Sequence, residues 1–420
     1  MMRKLEYNTI VIGGGHAGLG TSYFLKQQKL SHLVFERQKI GNSWSSQRWD
    51  SFKLNTPGKF SCLPGFETNH TDPDGFLSAQ EFVLVLEQYA KDYELPVMEN
   101  SNVLSVEKAP DSDLFHVTVS TNGEIQTYQS YNVVVASGAH SRKMMPEHSV
   151  HASPDIVQLH VAEYLNADNL PKGAVLVVGS GQSGVQVAED LLDSGRKVFV
   201  STSKVARAPR RYRGKDVMEW MSLSGFMDQR TEDVTDPQVF RMKQPQVSGV
   251  GPKGKTVSLQ SLAAKGAMIL GKIFRVDGAL VHFQPNAADH VRFGDGFSQV
   301  MKGMIEEYIG KAHLDAPAPE PDKADLPDEN VECVSHETTL NLEDHDISAI
   351  IWSTGFDGDF KYLKLPVFNE NGALIHNEGI TEITGLYFVG LPWLRKRKSG
   401  LIYGIEEDAE IICQKIKESG

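Results

Sequence analysis

Two glycine-rich turns have the residue spacing of dinucleotide-binding sites. In the first, Gly13, Gly15 and Gly18 stand in G-x-G-x-x-G register directly after the apolar run 9–12. The first glycine of such a motif allows a tight turn, the second lets a pyrophosphate approach the backbone, and the third lets the following helix pack closely on the strand. The helix N-terminus offers free N–H groups and a positive dipole end to the anion. The predicted contacts are Gly13, Gly15, His16, Ala17 and Gly18.

A carboxylate follows the next predicted strand at a position that suits ribose recognition. The run 32–35 ends at Glu36, which is 36 − 18 = 18 residues after the last glycine. A carboxylate there accepts hydrogen bonds from ribose hydroxyls. The alternative is a structural glycine turn followed by a surface glutamate. Arg37 is a further candidate ligand because it is adjacent.

The loop 41–58 is rich in aromatic residues and turn formers and has no clean periodicity. This composition suits a loop that packs against a flat ligand, with Ser43 and Trp44 as candidate contacts. Burial of the same aromatic rings in a protein core fits the composition equally well.

A second glycine turn lies 179 − 13 = 166 residues after the first and predicts a second dinucleotide. An apolar strand precedes it, and a helix with an apolar face through Val187 and Leu191 follows it. The predicted contacts are Gly179, Gly181, Gln182, Ser183 and Gly184.

The second unit differs from the first after its second strand, 197–200. Ser201-Thr202-Ser203-Lys204 stands where the first unit has Glu36, and Arg207, Arg210 and Arg211 follow. Because no carboxylate repels a 2′-phosphate there, the segment favours NADPH over NADH. The alternative is a solvated basic loop. The candidate ligands are Ser201, Thr202, Ser203, Lys204 and Arg207.

Small residues follow two further apolar strands. The run 131–135 leads into Ala136-Ser137-Gly138, and 347–352 leads into Ser353-Thr354-Gly355. Buried parallel strands have such exits where a cofactor crosses their carboxyl ends. Near the C-terminus, Gly390 ends an apolar run, and Ser399-Gly400-Leu401 is predicted to open a helix that extends to residue 415.

These elements predict an α/β protein with two Rossmann-like dinucleotide-binding domains. Residues 78–93 read as an amphipathic helix capped by Ser78, and strands at 103–107, 114–119 and 127–130 predict an antiparallel meander inserted into the first domain. The acidic, proline-rich stretch 315–330 predicts a surface linker. The predicted boundaries are 1–165 and 326–420 for the first domain and 166–325 for the second. The packing of 212–310 does not follow from its pattern.

Composition excludes several functional classes. The chain has 420 residues, 40% of them hydrophobic, and a formal net charge of -12, which argues against nucleic-acid binding. No run is apolar over the length of a membrane span, and the first apolar segment is too short for a signal peptide, so we expect a cytoplasmic protein. The three cysteines form no C-x-x-C pair, which excludes a disulfide framework, gives no indication of a metal site and weakens a dithiol-reductase interpretation.

Taken together, these motifs resemble those of class B flavin-dependent monooxygenases over nearly the whole chain. The sequence is similar to a bacterial flavoprotein branch related to cation-resistance and potassium-transport proteins, and to plant YUCCA enzymes. The motifs that carry the resemblance are the first glycine turn with Glu36, Ala136-Ser137-Gly138, the second glycine turn, Arg210-Arg211-Tyr212-Arg213-Gly214, Ser353-Thr354-Gly355-Phe356, the run 385–390 and Leu391-Pro392-Trp393.

The resemblance implies FAD in the first domain, NADPH in the second, and O2 and a small organic molecule as substrates. In this family NADPH reduces FAD, and bound NADP+ shields a C4a-hydroperoxyflavin that transfers one oxygen to sulfur, nitrogen or a carbonyl carbon. Asn55 is similar to the family asparagine beside the flavin C4a and is the catalytic candidate. The alternative is that it caps a turn. A helix N-terminus at Gly400 and Leu401 is placed to stabilise the reduced flavin.

One family motif is incomplete. The fingerprint F-x-G-x-x-x-H-x-x-x-(Y/W) is matched by His160 and Tyr164, but Pro154 and Ile156 replace its phenylalanine and glycine. His160 is expected to be structural or a hinge residue rather than a proton carrier. The departure motivates a second hypothesis, an NADPH oxidase or reductase that releases hydrogen peroxide. A non-catalytic redox sensor is a third, and a homodimer is compatible with all of them.

Overall fold

Two sheets, one mixed and one parallel, carry the two glycine turns. The computed structural model describes residues 5–66, 72–110 and 112–419. In chain order its strands are β1 (Glu6–Ile12), β2 (His32–Phe35), β3 (Val97–Met98), β4 (Ser101–Lys108), β5 (Phe115–Thr121), β6 (Glu124–Val135), β7 (Arg142–Lys143), β8 (Val157–His160), β9 (Ala174–Val178), β10 (Val198–Ser201), β11 (Arg211–Tyr212), β12 (Lys215–Asp216), β13 (Met268–Leu270), β14 (Ile273–Asp277), β15 (Leu280–Phe283), β16 (Thr339–Asn341), β17 (Ile347–Trp352), β18 (Phe356–Asp357) and β19 (Leu386–Phe388). Its helices are α1 (His16–Gln27), α2 (Asn42–Ser46), α3 (Ala79–Asp92), α4 (Gln182–Asp193), α5 (Val217–Leu223), α6 (Leu259–Ala264), α7 (Ala287–Lys311) and α8 (Ile405–Ser419).

The first sheet has the strand order β3-β2-β1-β6-β5-β4, and β19 also pairs with β6. β1 is parallel to β2 and β6, whereas β4, β5 and the first half of β6 form the predicted antiparallel meander. The segments predicted as separate strands at 127–130 and 131–135 are one strand of 12 residues. The meander is therefore continuous with the strand that leads to the Ala136 exit.

The second sheet is parallel throughout, in the order β13-β10-β9-β17-β8. All residues of β9 and β10 are buried, which matches the uninterrupted apolar runs that parallel strands need when both faces are covered. An antiparallel sheet of β14, β15 and β16 adjoins this unit. The predicted α/β class with two Rossmann-like units and an inserted meander is confirmed.

The sheets correct both predicted domain boundaries. β8 lies within the predicted range 1–165 and β17 within 326–420, yet both pair inside the second sheet. The chain instead passes between the units at β7 and β18, which form a short antiparallel ladder. Arg142 and Asp357 form an ion pair of 2.5 Å across that ladder. The two crossings therefore lie side by side, as in a hinge.

The stretch predicted as a surface linker is anchored by a buried charge cluster. Asp325 is 2% exposed; its carboxylate accepts a hydrogen bond from the guanidinium of Arg207 at 2.9 Å and forms an ion pair with Lys302 at 2.5 Å. Arg207 also bonds Asp295 on α7 at 2.5 Å. The stretch is therefore part of the second unit, although Pro-rich composition predicted a linker.

One apolar cluster is shared by the two units. It includes Phe82 and Leu86 of α3 together with Val175 of β9 and Leu191 of α4, all fully buried. α3 begins as predicted, since Ser78 accepts from the Glu81 N–H and the Glu81 carboxylate accepts from the Ser78 N–H. None of the helices among the described residues has the length and hydropathy of a membrane span.

The charge cluster predicts a large effect of a conservative substitution. Asp325→Asn removes the carboxylate that faces Arg207 and Lys302 in the interior. Breaking a buried pair costs about 3 kcal/mol because the remaining charge is left uncompensated. We expect a loss of that size in the free energy of unfolding, measured by denaturant titration with fluorescence detection. Asp289→Asn, in an exposed pair with Arg292, is the control. Equal midpoints for both variants would contradict the assigned role.

Candidate active site

The first glycine turn is shaped by two close backbone contacts. Gly13 has a φ of +112°, and a Cβ on it would lie 2.5 Å from the Ala136 carbonyl oxygen. A Cβ on Gly18 would lie 1.8 Å from the carbonyl oxygen of Gly13, whereas Gly15 has no atom within 4 Å of its Cβ position. α1 begins at His16 without a side-chain cap, so the N–H groups of its first turn remain available. The turn is a cradle that is open at Gly15.

Glu36 lies at the rim of a pocket beside this cradle. Its carboxylate accepts from the N–H groups of Gly14 at 2.7 Å and Gln38 at 2.9 Å. The pocket has a volume of 350 Å³, and Arg37 and Ser137 are among its lining residues. Since each carboxylate oxygen has a further lone pair, Glu36 can also accept from a ribose. A larger pocket of 490 Å³ lies at the amino ends of β9, β10 and β17, away from both turns.

The loop after β2 packs mostly against the protein. The Trp44 ring meets the Phe82 ring edge-on at 5.2 Å, and Trp49 and Phe52 are buried. These rings therefore pack in the protein interior, which was the alternative to contact with a flat ligand. Ser43 is exposed on the same short helix.

Residues from the other end of the chain close the first cradle. Gly390 has a φ of +79°, and a Cβ on it would lie 2.5 Å from the Ala17 Cβ. The backbone of Gly400 contacts the His16 ring. Gly138, at the exit of β6, has a φ of +75° and nothing within 4 Å of its Cβ position. Gly15 and Gly138 are thus two open positions around one site.

The predicted helix start at Gly400 and Leu401 needs correction. The Leu401 N–H donates to the Lys398 carbonyl, a 3₁₀ turn spans Ile402–Gly404, and α8 begins at Ile405. Three acidic residues occupy the first turn of α8. Their charges oppose the positive dipole end on which the prediction relied.

His16 provides an observation that points to a ligand. Burial lowers the pKa of His16 to about 4, and the Gly400 backbone only partly offsets this effect. The ring is therefore neutral at pH 7. Its Nε2 is buried and has no hydrogen-bond partner among the described residues. Because buried polar atoms are almost always satisfied, a bound molecule is expected to supply the partner.

The second glycine turn repeats the geometry of the first. Gly179 has a φ of +104°, and a Cβ on it would lie 2.4 Å from the Ser353 carbonyl oxygen. A Cβ on Gly184 would lie 1.9 Å from the Gly179 carbonyl oxygen, and Gly181 faces open space. α4 begins at Gln182, with Ser183 next, and has no side-chain cap. The same three glycine functions are therefore present twice.

The residues that follow β17 lie next to the ladder of β7 and β18 and contact His160. The His160 Nε2 lies 2.9 Å from the Gly355 carbonyl oxygen, and its Nδ1 accepts from the Ala162 N–H at 3.2 Å. Thr354 donates to the carbonyl of Met144. Burial is the main cause that lowers the pKa of His160. With both ring nitrogens engaged, His160 fits the predicted structural role at the hinge.

In the segment 201–204 after β10, some side chains bond to the protein and others are available to a ligand. The hydroxyls of Ser201 and Thr202 are buried and donate to backbone carbonyls at the end of β13, and Thr202 also meets His290 at 2.8 Å. Ser203 has a buried hydroxyl without a partner among the described residues. Lys204 is exposed above the Phe293 ring. Only Ser203 and Lys204 are free to bind a ligand.

Arg207 does not join this group. Its guanidinium is 1% exposed and is committed to Asp295 and Asp325. Arg210 is equally buried and pairs with Asp216 at 2.7 Å. The prediction that Arg207 binds a 2′-phosphate is therefore not supported, because both carboxylates already neutralise it.

Two further lysines, which sequence reasoning missed, lie near Lys204. Lys243 and Lys272 are exposed, and neither they nor Lys204 form an ion pair within the described ranges. Partial desolvation lowers the pKa of Lys243, and the charge of Lys272 adds to the effect. Burial lowers the pKa of His290, with smaller contributions from Lys272 and Lys204. The three lysines therefore converge beyond β10 and β13. Because they are far from one another in the sequence, their proximity could not be predicted from it.

Asn55 joins a loop of the first unit to the helix of the second cradle. Its Nδ2 donates to Gln182 Oε1 at 3.0 Å, and its Oδ1 accepts from Gln186 Nε2 at 2.9 Å. Arg210 donates to the Asn55 carbonyl at 2.9 Å. The side chain caps no turn of its own loop, and its partners lie on the first turns of α4. The catalytic candidate therefore lies between the first unit and the second dinucleotide turn.

Comparisons with known proteins agree with this arrangement. The model of the pyridine nucleotide-disulphide oxidoreductase family matches residues 10–264. An oxidoreductase of Geobacillus kaustophilus described as CzcO-like is 30% identical over 412 residues, which cover 97% of this chain and 98% of the relative. A probable indole-3-pyruvate monooxygenase of Arabidopsis thaliana, YUCCA9, is 30% identical over 224 residues, or 51% of this chain and 53% of the relative.

A solved structure extends the likeness in fold to the whole chain. A flavin-containing monooxygenase from Stenotrophomonas maltophilia superimposes with a TM-score of 0.64 at 18% identity and covers 99% of each chain. With two glycine cradles and these relatives, the chain belongs to the pyridine nucleotide-disulphide oxidoreductase family.

Proposed function

We propose that this protein is an FAD- and NADPH-dependent monooxygenase that inserts one oxygen atom from O2 into a small organic molecule. The observation that carries the proposal is the hydrogen bonding of Asn55 to Gln182 and Gln186, because it fixes a loop of the first unit against the helix that opens at the second dinucleotide turn. A bound flavin supplies hydride acceptance from a nicotinamide and the activation of dioxygen. The chain supplies binding, orientation and exclusion of water.

The first cradle suits FAD. Gly13 and Gly18 fix the end of β1 against the first turn of α1, and Gly15 leaves room for a pyrophosphate. Glu36 is the ribose acceptor at the rim of the adjoining pocket. The unpartnered Nε2 of His16 is placed to bond the same ligand. None of these contacts requires a positively charged side chain.

The second cradle suits NADPH. Gly181 and the first turn of α4 offer backbone N–H groups to the pyrophosphate. Lys204, Lys243 and Lys272 offer unpaired positive charge where the 2′-phosphate of the adenosine would lie. The charge pattern therefore favours NADPH over NADH, with Lys204 as the sequence indicated and with Lys243 and Lys272 in place of Arg207.

Asn55 is the residue we assign to the reacting centre. Its carboxamide orientation is set by two glutamines, so its second Nδ2 hydrogen points in one fixed direction. The amide can then hold a developing oxygen centre by hydrogen bonding without transferring a proton. Neutral His16 and the fully bonded His160 agree with a reaction that needs no acid–base pair.

A peroxide-releasing NADPH oxidase is the second candidate. Pro154 and Ile156, which replace the phenylalanine and glycine of the family fingerprint, lie in the turn before β8. The two functions use the same cofactors and differ in whether activated oxygen reaches a substrate or leaves as hydrogen peroxide.

A pair of alanine substitutions tests the cradles without disturbing the fold. Gly15→Ala and Gly181→Ala place a methyl group where no protein atom lies within 4 Å, so the free energy of unfolding is expected to stay unchanged. We expect FAD affinity to fall at least tenfold in the first variant, and NADP+ affinity in the second, about 1.4 kcal/mol each. Isothermal titration measures both. Gly184→Ala, which meets the Gly179 carbonyl, should instead destabilise the protein.

Substitution of these lysines is expected to weaken NADP+ binding selectively. Each of Lys204→Ala and Lys272→Ala removes a charge-assisted hydrogen bond, which is worth about 1.5 kcal/mol or more, and so raises the Kd for NADP+ about tenfold. The Kd for NAD+ should not change. Lys265→Ala, a lysine already paired with Glu189 and Asp193, is the control. An equal loss for NAD+ and NADP+ would exclude a 2′-phosphate contact.

Oxygen balance decides between the two functions. For the flavin-loaded protein with a thioether or a 2-oxo acid, we expect oxygenated product to account for most of the NADPH consumed. Asn55→Ala should shift most of that balance to hydrogen peroxide while NADPH still reduces the flavin. Mass spectrometry with ¹⁸O2 and a peroxide assay give both quantities. If wild-type protein converts NADPH to peroxide stoichiometrically with every substrate, the oxidase assignment is correct.

A further inference from the structure

One cation in the loop after β19 lacks an ionic partner. The loop carries four consecutive cations, and Arg395, Lys396 and Lys398 each pair with Glu407, at 3.3, 2.7 and 3.3 Å. Arg397 pairs with no carboxylate in the part of the chain that the structure describes. Since the protein has an excess of acidic residues, an unpaired arginine between paired neighbours indicates a separate role.

Arg397 is held in a fixed position by aromatic rings. Its Cζ lies 4.0 Å from the centroid of the Phe226 ring and 4.5 Å from that of Trp393. Its Nη2 donates to Gln229 Oε1 at 2.6 Å. Burial lowers the pKa of Arg397, and no carboxylate offsets the effect. A desolvated charge without a counter-charge costs stability, so a function that uses the charge is expected.

Two polar atoms of this segment are buried and have no hydrogen-bond partner among the residues that the structure describes. They are the Nε of Arg397 and the hydroxyl of Tyr403. Tyr403 and Phe226 pack against the same apolar cluster around Trp220, and the Tyr403 ring lies 5.3 Å from that of Phe60. Burial raises the pKa of Tyr403, so its hydroxyl stays protonated and can donate. Both atoms are thus unused donors beside aromatic rings.

The loop lies where the second unit covers the first cradle. Its flanks, Gly390 and Gly400, contact the first two residues of α1. From the second unit, segment 226–231 is joined to 393–398 by hydrogen bonds of 2.8 to 3.1 Å. A molecule held by Arg397 would therefore lie close to the cofactor cradle, where segments of the two units meet.

We propose that Arg397 and Tyr403 form a subsite for the carboxylate of an organic acid substrate with a planar, apolar body. The Nε and Nη atoms of a guanidinium form the fork that binds a carboxylate through two hydrogen bonds, and the Tyr403 hydroxyl adds a third donor. The rings of Phe60, Phe226 and Trp393 suit a flat apolar body. The inference rests on the proposed function, because the bound acid is the molecule that is oxidised.

Matched acids and amides test the subsite without turnover. The probes are phenylacetate, 3-phenylpropionate and indole-3-acetate, each paired with its amide, titrated into flavin-loaded protein without NADPH and followed by calorimetry. We expect at least one acid to bind tenfold or more tightly than its amide. Arg397→Gln should abolish that preference, and Arg397→Lys, which keeps the charge but not the fork, should retain part of it. Lys396→Gln, which removes a paired charge from the same loop, should leave the preference intact.

The same titrations contain the results that overturn the subsite. The proposal fails if no acid is preferred over its amide, or if Arg397→Gln keeps the preference. It also fails if Arg397→Gln weakens FAD or NADP+ binding tenfold and leaves acid binding unchanged, since Arg397 would then be a dinucleotide ligand. Acids that bind through Arg397 but are never oxygenated would refute the proposed function alone. Oxygenation of neutral molecules only, without acid preference, would refute the subsite alone.

Discussion

The arrangement of both cofactor cradles depends on a contact that no side chain can make. In each unit the third glycine of the turn meets the carbonyl oxygen of the first, so that a Cβ on Gly18 or Gly184 would lie less than 2 Å from that oxygen. This approach seats the helix directly on the end of the strand and aims its free N–H groups at the gap left by the middle glycine. The residues that follow β6 and β17 also require glycine at the first position of each turn, because the carbonyls of Ala136 and Ser353 fill the space beside Gly13 and Gly179.

Two cradles make one active site only if their relative position is maintained. The short ladder of β7 and β18, which carries both chain crossings, joins the units through only two residue pairs. The shared apolar cluster and the hydrogen bonds of Asn55 to α4 add further contacts between the units. The hydrogen bonds of Asn55 to α4 therefore do two things. They fix the second dinucleotide turn relative to the first unit, and they orient the Asn55 carboxamide itself.

Local patterns predicted what local contacts determine. The glycine turns, the capped helix α3 and the meander follow from spacing, capping and alternation within short stretches, and the structure has them. The domain boundaries were wrong because β8 and β17 pair across nearly two hundred residues, and nothing in either strand records its partner. The pairing of Arg207 could not be predicted for a similar reason. Arg207 follows the expected strand, but Asp295 and Asp325, from distant segments, neutralise it, and Lys243 and Lys272 approach each other from equally distant segments.

Charge pairing separates structural cations from those available to ligands. Arg207 and Arg210 are buried with carboxylates, and removing a partner from such a pair leaves a costly uncompensated charge. Lys204 and Lys272 form no ion pair within the described ranges and are exposed to solvent, where an unpaired charge costs little and is available to an anion. Arg397 belongs to neither group, because it is partly buried and unpaired, and aromatic rings hold it in position. A protein with an excess of carboxylates could neutralise that charge from many positions. That it does not do so is the physical reason to expect the counter-charge on a ligand.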